Sequence, residues 1–349
     1  MRVTFFPFYS QQDKRTGKFL PESDSGVRMY HYMAEAGSRI GWDTRLVVPL
    51  DQQCVQPFLP AAHTMIVPYR MDSNNLRRRF QMHLGFVDEL ARSCDVLVTT
   101  HVGLPYVMRC LHPKVKTVLE AGFLPETSFQ GAEVGVLLNW RSADVVHCSS
   151  ERIENRLYDV GVKQVFRWPF AYEDSTAQYT GVARDIDVLF NARCSAVGYT
   201  NHEAFLRAME GSPWKVVVPD PTSFVRPAHP DMVLAAPPNR AEYLKLLHHS
   251  KVVVSLTDNG GGGFGFQEAV AAGCCPVTLS LPEYHEVLTT KWPYYASLSN
   301  VREVVEHALK LGWAGCSTKV VRAVQENIKK SSYSAAWTGA KADLEGLCR

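Results

Sequence analysis

The residues best suited to chemistry lie in one stretch, Val252-Val253-Val254-Ser255-Leu256-Thr257-Asp258-Asn259-Gly260-Gly261-Gly262-Gly263-Phe264-Gly265-Phe266-Gln267-Glu268-Ala269-Val270-Ala271-Ala272-Gly273-Cys274-Cys275-Pro276-Val277. It reads as a strand, a glycine loop, a helix, a tight glycine turn and a second strand. Five glycines in the six positions 260–265 remove Cβ atoms and leave main-chain N–H groups open to a ligand. The helix that follows turns its positive end toward that loop, so the pair suits a phosphate or diphosphate. Asp258, Asn259, Gly262, Gly263, Phe264, Gly265 and Phe266 line this cradle in the sequence. Glu268, one turn into the helix, is placed to accept hydrogen bonds from sugar hydroxyls. A flexible surface loop before an ordinary helix is the plainer alternative, and the strand before it and the Glu-Ala-x-Ala-x-Gly run after it weigh against that.

Other positions fall at the ends of expected strands. Arg193 follows Asp187-Val188-Leu189-Phe190-Asn191-Ala192 and is either a diphosphate ligand, through two parallel N–H bonds, or a surface arginine. Thr99-Thr100-His101 ends the strand Asp95–Val98, and His101 reads equally as a cleft-facing or a capped loop histidine. Glu120 and Glu126 follow Val118-Leu119 and are weaker candidates. Arg77-Arg78-Arg79, between Arg70 and His83, is either a solvated basic helix face or a groove for phosphate-bearing acceptors. Asp185-Ile186-Asp187 is expected to be structural, and no essential metal is expected; His248-His249 reads as the solvated end of a helix.

These positions need a scaffold, and the sequence supplies one in two series. Apolar runs Val3–Phe6, Thr44–Val48, Asp95–Thr99, Lys116–Leu119, Val145–His147 and Gln164–Arg167 alternate with helix-period segments. One such helix begins at Ser25-Gly26, with Val27, Tyr30, Ala34 and Gly37 on a single face; another follows Ser149-Ser150. From about residue 185 the alternation resumes with Ile186–Asn191, Trp214–Val218, Met232–Ala235, Lys251–Leu256 and Cys275–Leu279. Asn239 with Glu242, and Asn300 with Glu303, look like capping boxes. Helical segments Lys319–Ile328 and Ser334–Leu347 close the chain, the latter with Trp337, Ala340, Leu344 and Leu347 on one face. Strand–helix alternation predicts α/β domains with parallel sheets. The expected organisation is a first Rossmann-like domain over 1–172, a second over 173–330, and a C-terminal helix over 331–349 packing back on the first.

The second domain resembles the retaining GT-B glycosyltransferases of the family-4 type. Their signature is a glutamate, seven residues containing Gly-Phe-Gly, then Glu-Ala-Met-Ala-x-Gly-x-Pro-Val. Glu268-Ala269-Val270-Ala271-Ala272-Gly273-Cys274-Cys275-Pro276-Val277 matches its second half with one extra residue, and His285-Glu286-Val287 falls near the family's Glu-Val-Val. The resemblance implies two doubly wound domains facing across a cleft and a metal-independent, retaining sugar transfer from a UDP- or GDP-sugar, with no cofactor. It implies that Glu268 holds the nucleotide ribose, that Arg193 grips the diphosphate, that Ser25-Gly26 stands where the family has a glycine turn near the donor phosphate, and that His101 faces the transferred sugar. The family's first glutamate is replaced by Gly260, with Asp258 or Asn259 able to fill its space, and the family's lysine after Arg193 is absent. The first domain, expected to select the acceptor through such residues as Arg77, Arg78 and Glu120, matches little beyond pattern. A glycan, a lipid-linked glycan, a small molecule and a hydroxymethylated DNA base all remain open as acceptors. A non-catalytic GT-B-like shell, and a phosphorylase or epimerase of the same build, are the rival classes.

Composition narrows the class. In 349 residues, 37 Lys plus Arg oppose 35 Asp plus Glu, a net charge of +2 that argues against a dedicated polyanion binder. With 46% hydrophobic residues, intrinsic disorder is excluded. Nine cysteines form no C-x-x-C pair, so reduced thiols in a cytoplasmic protein, possible contact with a membrane periphery included, are expected. The N-terminus carries no signal pattern, and no apolar run approaches the ~20 residues of a membrane span.

Overall fold

The computed structural model describes residues 1–7, 25–49, 64–67, 84–101, 103–121, 140–178, 182–191, 201–219, 232–235, 240–257 and 263–349. The chain divides into two compact units: Met1–Trp168 together with Trp337–Arg349, and Pro169–Ala336.

The first unit is built on a seven-stranded parallel sheet of β1 (Arg2–Phe6), β2 (Asp43–Pro49), β3 (Thr64–Val67), β4 (Val96–Thr99), β5 (Lys116–Glu120), β6 (Val145–Cys148) and β7 (Val165–Arg167), in the order β3-β2-β1-β4-β5-β6-β7. Helices α1 (Ser25–Arg39), α2 (Leu84–Ser93), α3 (Leu104–Leu111) and α4 (Glu151–Asp159) alternate with the strands. Parallel strands buried on both faces need continuous apolar runs, and β4 and β6 are buried throughout. The α1 face named above is buried, and Gly37 lets the helix approach β2. A Cβ on Gly37 would stand 2.7 Å from Thr44 Cγ2. Ser150 caps α4 as its position before the helix requires, accepting from Ile153 N–H at 3.3 Å.

The second unit holds a six-stranded sheet of β8 (Ile186–Phe190), β9 (Val216–Pro219), β10 (Met232–Ala235), β11 (Ser250–Ser255), β12 (Cys275–Leu279) and β13 (Tyr295–Ala296), ordered β10-β9-β8-β11-β12-β13 and parallel throughout. Its helices are α5 (His202–Met209), α6 (Arg240–His249), α7 (Phe264–Ala271), α8 (Pro282–Leu288), α9 (Val301–Leu311) and α10 (Thr318–Lys329). Alternate residues feed two cores: Val188, Phe190, Val252 and Val254 on one side of the sheet, Leu189, Val217 and Val253 on the other. The last helix, α11 (Tyr333–Leu347), begins in the second unit and ends in the first. There Trp337 meets Trp42 at 5.3 Å between ring centroids, and Asp343 accepts from Trp168 Nε1 at 2.8 Å.

Three expectations are corrected. β3 and β13 are strands that hydrophobic patterning missed, the second of them only two residues long. Asn300 does not cap α9: its Oδ1 instead accepts from Ser297 N and Oγ, at 2.7 and 3.0 Å, tightening the turn before the helix. His248 is not solvated; it is buried, and only His249 reaches the surface, where it bonds Asp185 at 2.7 Å. The other capping position, Asn239, lies outside the described residues.

Candidate active site

In a doubly wound sheet, ligands collect beyond the carboxyl ends of the two strands at which the winding reverses. In the second unit those strands are β8 and β11. Their ends are tied together, Asn191 N–H donating to Val254 O at 2.9 Å. The segments that leave these ends carry Arg193 on one side and Asp258, Asn259 and Gly262 on the other. These four residues lie outside the described residues. The chain resumes at Gly263, the N-cap of α7.

The start of α7 is anchored by its aromatic residues. Phe264 packs on Phe170 at 4.7 Å and Phe266 on Tyr284 at 4.9 Å, all four rings buried. The amide of Phe266 is already used, donating to Gly263 O at 2.9 Å, and Gln267 N donates to the same oxygen at 3.2 Å. Phe266, grouped by sequence with the ligand-binding amides, is therefore a core anchor. The amides of Phe264 and Gly265 are the first-turn donors that no intrahelical carbonyl can satisfy. Gly265 sits against the side chain of Asn191: a Cβ there would lie 3.1 Å from both amide atoms and from Tyr243 Oη. Tyr243 Oη–H fixes that amide by donating to Asn191 Oδ1 at 2.8 Å, leaving Nδ2 buried without an acceptor.

Glu268 is 1% exposed. Its Oε1 lies 2.8 Å from Nη1 of Arg240, the first residue of α6. Nη2 of the same guanidinium lies 3.4 Å from Glu173 Oε2, and the guanidinium stands 5.8 Å from the centre of the Tyr243 ring. Arg240 had no signal in the sequence; an arginine opening a helix reads as surface until the fold brings it to Glu268.

The first unit reverses between β1 and β4, and His101 follows β4. Its amide is held by Thr99 Oγ1 at 3.0 Å, and its ring, 2% exposed, lies 4.2 Å from that of Phe6. Gly26 is the second residue of α1. Arg77 and Arg78 lie outside the described residues.

Glu120 ends β5 inside a hydrogen-bonded network. Tyr30 Oη–H donates to its Oε2, and His147 Nε2 lies 3.1 Å from Tyr30 Oη and 3.8 Å from the same carboxylate oxygen. Tyrosine has one hydroxyl hydrogen, so with that hydrogen on Glu120 the contact from His147 must be Nε2–H donating. Nδ1 is then the unprotonated nitrogen, buried and without a partner. Trp168 stacks on the imidazole at 4.5 Å. Burial lowers the His147 pKa to about 3, and burial followed by the Glu120 charge pushes that of Tyr30 well up. The imidazole is neutral at physiological pH.

Asp185 and Asp187 serve as ion-pair partners. Asp185 pairs with Lys215 at 2.8 Å and Asp187 with Lys251 at 2.7 Å. Cys94, Cys148, Cys274 and Cys275 are buried free thiols, and burial raises Cys94 and Cys274 to about 11.

No family model and no curated protein sequence matches the chain. Solved structures do. An α,α-trehalose-phosphate synthase (UDP-forming) from Burkholderia vietnamiensis is similar over 99% of this chain and 97% of its own, with TM-score 0.69 and 12% identity. Sucrose-phosphate synthase from Thermosynechococcus elongatus covers 99% of both chains at TM-score 0.68 and 13% identity. HepE of Anabaena, solved with UDP-glucose, covers 99% of this chain and 100% of its own at TM-score 0.68 and 12% identity. The fold is GT-B. At such low identity the likeness extends to the backbone architecture; the side chains described above are this chain's own. Among the described residues no helix is long and apolar enough to cross a membrane.

Proposed function

We propose that this protein is a glycosyltransferase that moves a sugar from a nucleoside diphosphate sugar to an acceptor hydroxyl, with retention of configuration and without a metal or cofactor. One observation carries the reading: at the β8/β11 reversal, the first turn of α7 packs against Asn191 through Gly265, and one turn later the helix bears a buried carboxylate held by Arg240. Free amides at a helix N-terminus suit a diphosphate, and a fixed carboxylate suits a ribose diol. The solved structure of HepE with UDP-glucose supports a donor of that class.

As the glycosidic bond breaks, negative charge grows on the leaving diphosphate. The amides of Phe264 and Gly265 and the dipole of α7, with Arg193 as the cation, stabilise that charge, and fixed dipoles do so without reorganisation at the moment of reaction. Acceptor recognition is assigned to the first unit, and His101, two residues beyond the end of β4 at the reversal, to the transferred sugar. A hydroxymethylated DNA base stays within the acceptor test. The buried free thiols favour a reducing, cytoplasmic setting.

The test is a thermal-shift and calorimetric panel of UDP-, GDP- and ADP-sugars. A ligand at a hundred times its Kd stabilises the fold by ~2.7 kcal/mol. Arg193→Ala is expected to weaken the bound nucleotide by ~1–3 kcal/mol, the size of a hydrogen bond to a charged group. Absence of binding across the panel by the wild type sinks the reading, and binding without sugar transfer to glycan, small-molecule or hydroxymethylated DNA acceptors reduces it to a nucleotide-binding shell.

A further inference from the structure

We propose that the amino edge of the first unit, where the chain turns into β5, β6 and β7, is a docking surface for an anionic lipid bilayer. This surface stands apart from the nucleotide-sugar site, which belongs to the carboxyl ends of strands.

Three exposed apolar side chains stand on the two helices that lead to this edge. Tyr106 and Leu111 of α3 are 52% and 50% exposed, and Tyr158, in the last turn of α4, is 46% exposed. Single apolar residues on a surface are ordinary, but these belong to one connected face. Arg109, one turn after Tyr106, donates through Nη1 to Arg141 O at 3.3 Å. Arg141 Nε in turn donates to Val160 O, two residues past Tyr158, at 2.7 Å. The same guanidinium covers Gly161, where a Cβ would stand 3.2 Å from Nε. β5, β6 and β7 are neighbours in the sheet, so the turns that enter them lie side by side.

The face is also cationic. Arg109 and Arg141 give their hydrogen bonds to carbonyls, and neither they nor Lys114 and Lys163 in the flanking turns has a carboxylate partner among the described residues. The carboxylates nearby are committed. Asp144 pairs with Lys116 at 3.4 Å, Asp88 with His112 at 2.8 Å, and Glu151 and Glu154 both meet Arg167, at 3.5 and 3.8 Å. Asp159 is the exposed carboxylate left beside the four cations. A polyanion in solution would use the cations and gain little from Leu111. A bilayer with acidic headgroups uses both sets: tyrosine and leucine enter the headgroup layer while arginine and lysine meet the phosphates. Docked through this edge, the carboxyl ends of the same strands face away from the lipid.

The experiment is flotation of the full chain with vesicles of phosphatidylcholine alone and of equal parts phosphatidylcholine and phosphatidylglycerol, at low and physiological salt. Wild type is expected to bind the mixed vesicles about tenfold more strongly or better, and to lose part of that advantage as salt rises. Arg109→Glu with Lys114→Glu is expected to cut binding by about tenfold or more. Tyr106→Ser with Leu111→Ser is expected to cut it by roughly threefold or more, since less apolar surface enters the interface. Lys329→Glu with Lys330→Glu, at the exposed end of α10, makes the same change in net charge in the second unit and is expected to bind as wild type. Unfolding temperatures check that each variant is folded. A wild type that binds neither vesicle, or both alike, overturns the proposal. So does a control that loses as much as the reversal on the face, since diffuse charge would then be enough. A folded serine variant that binds as wild type overturns it too, and binding to single-stranded RNA without binding to vesicles replaces the bilayer with a polyanion.

Discussion

The two units share one winding rule and differ in the polar groups gathered near the carboxyl ends of their strands. In the first, a network at the ends of β5 and β6 pairs most of its groups within the unit: Tyr30 bonds Glu120, His147 bonds Tyr30, Trp168 covers His147, and Asp343 accepts from Trp168, with His147 Nδ1 left buried without a partner. In the second, two donors near the reversal point, Asn191 Nδ2 and Arg240 Nε, are buried without hydrogen-bond acceptors. Buried donors left without acceptors cost stability, which makes this cluster the place where the proposed ligand is tested first. Topology therefore nominates two places, and they differ in which polar groups stand there and in how those groups are paired.

The contrast breaks most sharply at Glu268. Glu268→Ala leaves Arg240, 14% exposed, with Glu173 as its remaining carboxylate in the ion-paired cluster, and should cost about 3 kcal/mol of stability together with nucleotide binding. Urea unfolding and calorimetry check both; unchanged values in both would remove the site. Next comes Tyr30→Phe in the first unit. It strips a buried carboxylate of a donor, for an expected loss of about 2 kcal/mol, yet should leave nucleotide affinity as in wild type. A parallel loss of affinity in a folded variant would mean that the two regions are not separate in function.

A smaller, graded effect follows from His147. Its folded pKa of about 3 lies below the ordinary 6.5, so the unfolded chain binds the extra proton. The stability contributed by the neutral imidazole is fully present above pH 6.5 and drains as the pH falls toward 3, with a limiting slope of about 1.4 kcal/mol per pH unit for one proton. His147→Gln should flatten that part of the stability profile, and an unaltered profile would reassign the acid sensitivity. The smallest change is Gly265→Ala. Its methyl would sit 3.1 Å from Asn191 and Tyr243, a crowding of about 1 kcal/mol that the better helix propensity of alanine offsets in stability. Nucleotide affinity should drop a few-fold because Asn191 must shift; an affinity equal to wild type would show that the close contact has no bearing on the ligand.

Much of the scaffold could be read locally. The runs Val188–Phe190 and Val252–Val254 are apolar on both faces because parallel strands between helix layers have no wet side. Gly263 and Gly273 bracket α7 as the sequence pattern requires, the latter at a φ of +80° that favours glycine. β13 escaped because two residues cannot display a period. Asn300 misled because a side-chain oxygen before a helix can serve the preceding turn instead of the cap. Phe266 misled because adjacency to a glycine loop says nothing about which amide the first helical turn consumes.

The amino-acid order by itself determined the α/β class, the helix whose N-terminus follows the glycines, and Glu268 as its carboxylate, since each depends on residues a few positions apart. Only the tertiary structure decided that Arg240 neutralises Glu268 and that Tyr30, Glu120 and His147 form one network. Tyr30 and His147 are 117 positions apart in the chain, and strand order, which no local period encodes, makes them neighbours. Local patterns fix which way a side chain points from its own element; which charge it meets is settled by how the sheet is wound.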